Sequence, residues 1–458
     1  MRKTRVNILS WFLRIFTMVF IIVNLTLFTP IVLANLKHMI PALDSKAPRV
    51  LLSDDDEFLN IISKKAFNYF WNEANPDTGL IPYNNTADSP CSVAVVGFGL
   101  TAIPVGMERG WISREEGYNR VLTTLRTLAS DNVQRKHGFF YELLDMKSCK
   151  RFKKSTISSM DTCILMSGIL FVGEFFPGTV IRNLANKLYT SVDWQWMGDG
   201  KTTLAKNWTP ESGFSTERWD SFDESLLMYV LALGSPTYPL PAQIWDEIRR
   251  PVRENYISVP KEDFSSYVLP HVWLNLRGKE DYYANYWNNV LIAARYNRIY
   301  SILNHNESKV RNPDIWGLSK CEGVNGYRVY GASAGNHDDT FTPYAPISCI
   351  PFIPDKSIQA IRAILMEHGG DLWGEYGFTS GYTWNGTWHS GTHYGIDEGM
   401  AVLMIENYRT GFVWKYLTSN NFIQAGLDRI GFRASKMKEA VTPIYLSETE
   451  GKHYQWSF

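Results

Sequence analysis

Apolar residues recur at three- and four-residue intervals over about twelve segments of this chain, and that repeat predicts a mainly α-helical fold. The segments lie near residues 54–75, 91–109, 113–130, 158–176, 178–193, 222–234, 239–252, 283–303, 343–350, 354–368, 395–418 and 420–431. The first is capped within Ser53 to Asp56, carries Phe58, Leu59, Ile62, Phe67 and Phe70, and stops at the turn Asn75-Pro76-Asp77-Thr78-Gly79. The third opens on Ser113-Arg114-Glu115-Glu116, a capping box. Segments 91–109, 158–176 and 395–418 are apolar on most faces, as an inner ring requires. Segments 113–130 and 239–252 are amphipathic, as an outer ring requires. Twelve helices in six pairs predict an α/α six-hairpin barrel. No self-similar period of 20 to 50 residues favours a superhelical repeat array instead.

The remaining composition narrows the class. Lys plus Arg and Asp plus Glu are both 46, so there is no net charge to draw the chain to a nucleic-acid backbone or an anionic lipid surface. Arg2, Lys3 and Arg5 precede an uncharged run from Ile15 to Leu36, and Val32-Leu33-Ala34 offers a cleavage site. Residues 1–36 are therefore expected to be a signal peptide or a signal anchor, 37–52 a linker and 53–458 one domain. That domain would be exported, periplasmic or extracellular, with inner-membrane association if the segment stays uncleaved. Five cysteines, Cys91, Cys149, Cys163, Cys321 and Cys349, lack CxxC spacing. Cys163 reads as a small buried hydrophobe, whereas Cys149 and Cys321 fall in loops where a bridge is conceivable.

Four stretches, 131–157, 194–221, 304–342 and 369–394, carry no helical pattern, and loops this long in a compact domain are usually functional. They are rich in indoles, among them Trp194, Trp208, Trp219, Trp373 and Trp384. With 16 Trp, 24 Tyr and 24 Phe the chain has ring surface suited to stacking on sugars. In such a barrel the loops entering the inner helices form the cleft, so acids at inner-helix starts are candidates by position. Asp161 opens an otherwise apolar helix and is either a cap or a cleft residue. Glu142 and Asp145 follow His137-Gly138-Phe139-Phe140-Tyr141 and could face one pocket or be solvated loop charges. Asp338 and Asp339 could bind hydroxyls or only shape a turn. Glu406 and Arg409, three apart, suit a structural ion pair. His389 and His393 lack the intervening Glu of a zinc helix, and His137, His389 and His393 are expected instead to hydrogen-bond sugar hydroxyls. No Walker loop or GxSxG elbow occurs.

The run Gly97-Phe98-Gly99-Leu100-Thr101-Ala102, followed by Glu108-Arg109-Gly110-Trp111, resembles the bacterial glycoamylase-like domain found in endo-β-1,2-glucanases and within cyclic β-1,2-glucan synthases. The resemblance continues through Phe70-Trp71-Asn72-Glu73, Met160-Asp161-Thr162, Asp223-Glu224, Trp373-Gly374-Glu375-Tyr376-Gly377-Phe378 and Ile405-Glu406-Asn407-Tyr408-Arg409. It departs at Thr156, where relatives carry an acid, and at Glu398, where Gln is common. The resemblance implies an α/α six-hairpin barrel and a glycoside hydrolase acting on a β-glucan, β-1,2-glucan above all, without a cofactor or metal. Hydrolysis needs one carboxyl to protonate the leaving oxygen and one to activate water or attack the anomeric carbon. Glu224 with Glu142 or Asp145 would straddle the bond, with Asp161 and Asp397 orienting water or hydroxyls. Tyr141, His137, Asp339, His393 and the five indoles named above would bind the chain of sugars. The alternative is a glucan transglycosylase, or a non-catalytic glucan-binding factor, on the same fold.

Overall fold

Helix α1 (Asp55–Asn72) starts where Asp54 accepts the Glu57 N–H at 2.8 Å, and Asp55, Asp56 and Glu57 complement the positive end of its dipole. The computed structural model describes residues 54–303, 312–333, 335 and 338–436; the N-terminal segment expected to direct export, and the linker after it, lie outside the described residues. Helix α2 (Val93–Glu108) is buried on nearly every face. Helix α3 (Arg114–Ala129) begins with the expected capping box, the Ser113 N–H donating to Glu116 at 2.9 Å and the Glu116 N–H to the Ser113 hydroxyl at 3.2 Å. There follow α4 (Ser159–Phe175), α5 (Val180–Thr190), the short α6 (Trp194–Gly198), α7 (Ser225–Gly234), α8 (Phe264–Trp273) and α9 (Tyr286–Leu303). The last five are α10 (Tyr344–Ser348), α11 (Pro354–Leu372), α12 (Gly395–Thr410), α13 (Phe412–Leu417) and α14 (Asn421–Ile430). The fold is mainly helical, its strands being two to four residues long. Among the described residues no helix is long and apolar enough to cross a membrane.

Contacts between elements run from α2 to α4, on to α7, α8, α10 and α12, and from α12 back to α2, a closed cycle of apolar helices. The amphipathic or partly exposed helices lie against that cycle from outside: α1 on α12 and α2, α5 on α4, α14 on α7, α9 on α8 and α11 on α10. Two of these contacts are backbone to backbone. A Cβ on Gly168 of α4 would lie 2.1 Å from the Gly97 carbonyl oxygen of α2, and one on Gly97 would lie 2.5 Å from that of Ile164. Gly234 and Gly426 bring α7 and α14 together in the same way, at 2.0 Å from the carbonyl oxygens of Phe422 and Val230. Here the glycines are needed for close approach, since α2 and α4 are in ordinary helical conformation at these points.

Several expectations are corrected. Residues 239–252 hold only a 3₁₀ turn (Ala242–Trp245), because Pro239, Pro241 and Pro251 bracket the segment and deny it the backbone donors of a helix. Trp245 is anchored there by its indole N–H, which donates to Asp281 at 2.7 Å. Helix α8 was not legible from periodicity, since Pro270 interrupts it. The segment 395–418 is two helices, because Gly411 adopts φ +65° and ends α12. Glu406 and Arg409 do not pair with each other. Arg109 binds Glu406 at 2.8 Å, and Arg409 reaches Asp56 at 2.8 Å, so each ties α12 to a different neighbour, α2 or α1. All five cysteines are buried free thiols, Cys149 and Cys321 included.

Candidate active site

Short antiparallel strand pairs lead directly into two helices of the cycle, α2 and α4. Strand β1 (Cys91–Ser92) pairs antiparallel with β2 (Leu143–Leu144), and β3 (Ile157–Ser158) with β4 (Asn207–Thr209). Glu142 is fixed between them: its N–H donates to the Thr156 carbonyl at 2.9 Å, its own carbonyl accepts from Val93 at 3.1 Å, and its carboxylate accepts the Thr156 N–H at 3.1 Å. Thr156, at a position where an acid would be expected, thus orients an acid through its backbone.

Asp161 lies in the first turn of α4, where the Ser158 hydroxyl donates to it at 2.5 Å. Glu224 is the residue that begins α7, and its carboxylate makes no side-chain hydrogen bond among the described residues. Its neighbour Asp223 is turned away to accept the Ser225 N–H at 2.9 Å. Asp397, in the first turn of α12, accepts the Ser380 hydroxyl at 2.8 Å. Glu142, Asp161, Glu224 and Asp397 line one cavity of about 460 Å³, within the usual range for a small-molecule site.

Burial dominates the electrostatics of these acids. It pushes the Asp397 carboxyl up to about 8, against the Ser380 hydrogen bond, with Glu398 adding to the rise and Lys320 opposing it. Burial raises Asp161 too, countered by the Ser158 hydroxyl and Lys320. It raises Glu142, with repulsion from Asp161 second. Asp223 is raised by burial first and by Glu224 second. Behind Asp397, the buried Glu398 accepts from the Tyr344 hydroxyl at 2.8 Å and is hydrogen-bonded to His393 Nδ1 at 2.8 Å; burial raises it and His393 opposes the rise.

Asp145 does not join the other acids. It folds back to accept the N–H groups of Lys147 and Ser148 at 3.1 and 2.7 Å, an Asx turn at the surface. None of the residues expected to bind sugar lines the cavity. Trp194 is fully buried, edge-on to Phe139 at 5.2 Å. Trp219 donates its indole N–H to Ser159 at 2.8 Å beneath the cavity floor. Trp208 lies 5.6 Å from Trp196, under the Lys136 ammonium. Tyr141 packs against the Arg151 guanidinium at 5.0 Å. His137 is exposed and stacked on Trp196 at 4.7 Å. Trp373 meets Phe378 edge-on at 5.0 Å, and Trp384 lies 5.8 Å from Phe341 while its backbone N–H donates to the Asp339 carbonyl. Asp339 takes φ +63° in that turn. His393 is buried against Glu398, and His389 is exposed, so the two do not form a metal pair.

The aromatic wall is made instead by tyrosines that the sequence did not single out. Tyr83, Tyr327 and Tyr344 line the cavity, and Tyr83 and Tyr327 meet Tyr394 at 5.2 and 4.7 Å. Lys320 is the only Lys or Arg among its described lining residues. Nothing in the sequence sets it apart, since Lys309, Arg311 and Arg328 lie in the same stretch.

A mainly helical fold with acids gathered at helix starts is the arrangement that the glycoamylase-like resemblance leads one to expect. Residues 216–421 match the family model Glycoamylase, described as "Putative glucoamylase". A solved structure from Bacteroides uniformis, described in the same words, superposes with a TM-score of 0.79 at 29% identity, covering 83% of this chain and 98% of that one. An endo-β-1,2-glucanase from Chitinophaga pinensis, solved with sophorotriose and glucose, gives 0.75 at 27% identity over 82% of this chain and 98% of its own. An exo β-1,2-glucooligosaccharide sophorohydrolase (non-reducing end) from Parabacteroides distasonis is 26% identical over 421 residues, 82% of this chain. The chain spans 58% of that relative's length.

Proposed function

We propose that the protein is a glycoside hydrolase acting on a β-glucan, β-1,2-glucan being the substrate its similar proteins favour. The observation that carries this reading is the meeting of Glu142, Asp161, Glu224 and Asp397, from four separate parts of the chain, in one tyrosine-walled cavity. Glycoside hydrolysis requires a protonated and an ionised carboxyl on either side of one bond. Burial that keeps Asp397 neutral toward pH 8 supports a carboxyl able to supply a proton near neutrality. In this reading Glu224 and Asp397 are the reacting pair, and Glu142 and Asp161 orient water or sugar hydroxyls. Tyr83, Tyr327 and Tyr344 give the sugar rings flat faces to lie on. The closed cycle of six apolar helices, each backed from outside, supports an α/α six-hairpin toroid as the scaffold. The basic and then uncharged N-terminal sequence supports action outside the cytoplasm.

The reading is tested by incubating the wild type, Glu224→Gln and Asp397→Asn with β-1,2-glucooligosaccharides and counting new reducing ends. We expect release by the wild type and a fall in kcat of about 10²–10⁴-fold in each variant, the range for losing a general acid or base. Residual activity of one variant on an aryl glycoside whose leaving group needs no proton would identify that residue as the acid. Redistribution of chain length with no gain in reducing ends would refute hydrolysis and make the protein a transglycosylase.

A further inference from the structure

The hairpin of β5 (Lys320–Gly323) and β6 (Gly326–Val329) brings a single cation to a cavity otherwise lined by acids, hydroxyls and apolar groups. The hairpin is pinned at two points. The Lys320 N–H donates to Asp263, the capping residue of α8, at 3.2 Å, and Asp263 also accepts from Ser265 and Ser319. Two residues on, the Glu322 N–H donates at 3.2 Å to the Ser380 hydroxyl, which in turn donates to Asp397. Tyr327, on β6 opposite Glu322, packs against Tyr83 and Tyr394 and holds the far strand. The backbone that carries Lys320 is therefore fixed relative to Asp397 and to the start of α8.

The side chain has no such tie. Among the described residues the Lys320 ammonium makes no hydrogen bond and no direct ion pair, although Asp263, Glu224, Asp161 and Asp397 all act on it electrostatically. An ammonium carries three donors, and in a cavity this rich in acceptors they stay available to whatever enters. A sugar hydroxyl is a natural guest, since it can accept from an ammonium and donate to a carboxylate at once.

We propose that Lys320 is a positioning residue for the reaction: its ammonium faces the cavity carboxyls as their counter-charge and presents N–H donors to a hydroxyl of the bound glucan. The inference rests on the glycoside hydrolase reading of this cavity. The charged and titratable groups facing Lys320 are Asp161 from α4, Glu224 from α7, Asp263 from α8 and Asp397 from α12. Glu142 stands across the cavity, and Asp223 and Glu398 lie behind the front row. Lys320 opposes the rise at Asp161 and Asp397, so removing its charge lets these two carboxyls hold their protons to higher pH.

Lys320→Met keeps the length and removes the charge, and Lys320→Arg keeps the charge. For each, reducing-end release from β-1,2-glucooligosaccharides is measured across pH, and protonation of the buried carboxyls is followed separately by their infrared C=O band. We expect the whole pH–rate profile of Lys320→Met to move upward by roughly 1–2 pH units, for a charge several Å away at an effective dielectric near 20. Its kcat at the wild-type optimum should fall, the infrared midpoint should move the same way, and Lys320→Arg should restore the position of the profile. A profile and an infrared midpoint that stay put in Lys320→Met, with only KM raised or nothing changed, would overturn the inference. Should the wild type release no reducing ends, the hydrolase reading fails, and the infrared titration still decides whether Lys320 governs the carboxyls.

Discussion

Asp397 is held in a position that costs the folded protein stability. A free Asp side chain titrates near 4, whereas this one holds its proton toward about 8, so between those values the folded state binds a proton that the unfolded chain has released. The stability gained from that bound proton is complete below about pH 4 and is lost as pH rises to about 8. Asp397→Asn removes the titration, and its advantage over the wild type should be smaller at pH 5 than at pH 8, growing by on the order of a few kcal/mol between them. Thermal melts of the two proteins at both pH values check this; equal gaps at both would contradict it. Activity and stability would then pull in opposite directions at one carboxyl. At this scale the sequence was informative about acids and poor about their surroundings. Asp161, Glu224 and Asp397 stand out because each opens an apolar helix, where a charge is conspicuous. Asp145 carries the same charge, but a turn that consumes its oxygens is a three-dimensional fact. The indoles misled for a related reason: abundance of Trp says nothing of which way a ring faces, and Trp194 faces the core. Lys320, Tyr83 and Tyr327 lie in stretches with no periodicity to read.

Two pairs of helices, α2 with α4 and α7 with α14, meet here through glycine. The α2–α4 contact brings the Gly168 backbone against the Gly97 carbonyl, with no flexible side chain to yield. Gly168→Ala should therefore destabilise by about 1–3 kcal/mol, the usual cost of overpacking, despite Ala being the better helix former. Chemical denaturation reads the effect as a lowered midpoint; an unchanged or raised midpoint would show that the helices separate freely. The long apolar helices, α2, α4 and α12 among them, were legible because burial on all faces leaves a continuous apolar run. Helix α8 was not, as Pro270 hides a segment whose packing on α7, α9 and α12 outweighs the missing donor. The segment 239–252 erred the other way, its spacing helical and its prolines decisive.

Across the whole molecule, the cavity draws on residues from Tyr83 to Met400, so its integrity depends on the helical core as a unit. Loss of activity and loss of near-ultraviolet circular dichroism should follow one curve in denaturant, and activity lost well ahead of the spectral change would reveal a site that opens by itself. Three of the four acids, Asp161, Glu224 and Asp397, reach this cavity from the starts of helices locked into the closed cycle, whereas its sole described cation rides on a hairpin. Scaffold and cover are thus free to diversify separately. A descendant that kept every helix and exchanged only residues 320–329 would inherit the same acids under an altered lid, an inexpensive evolutionary route to new substrates.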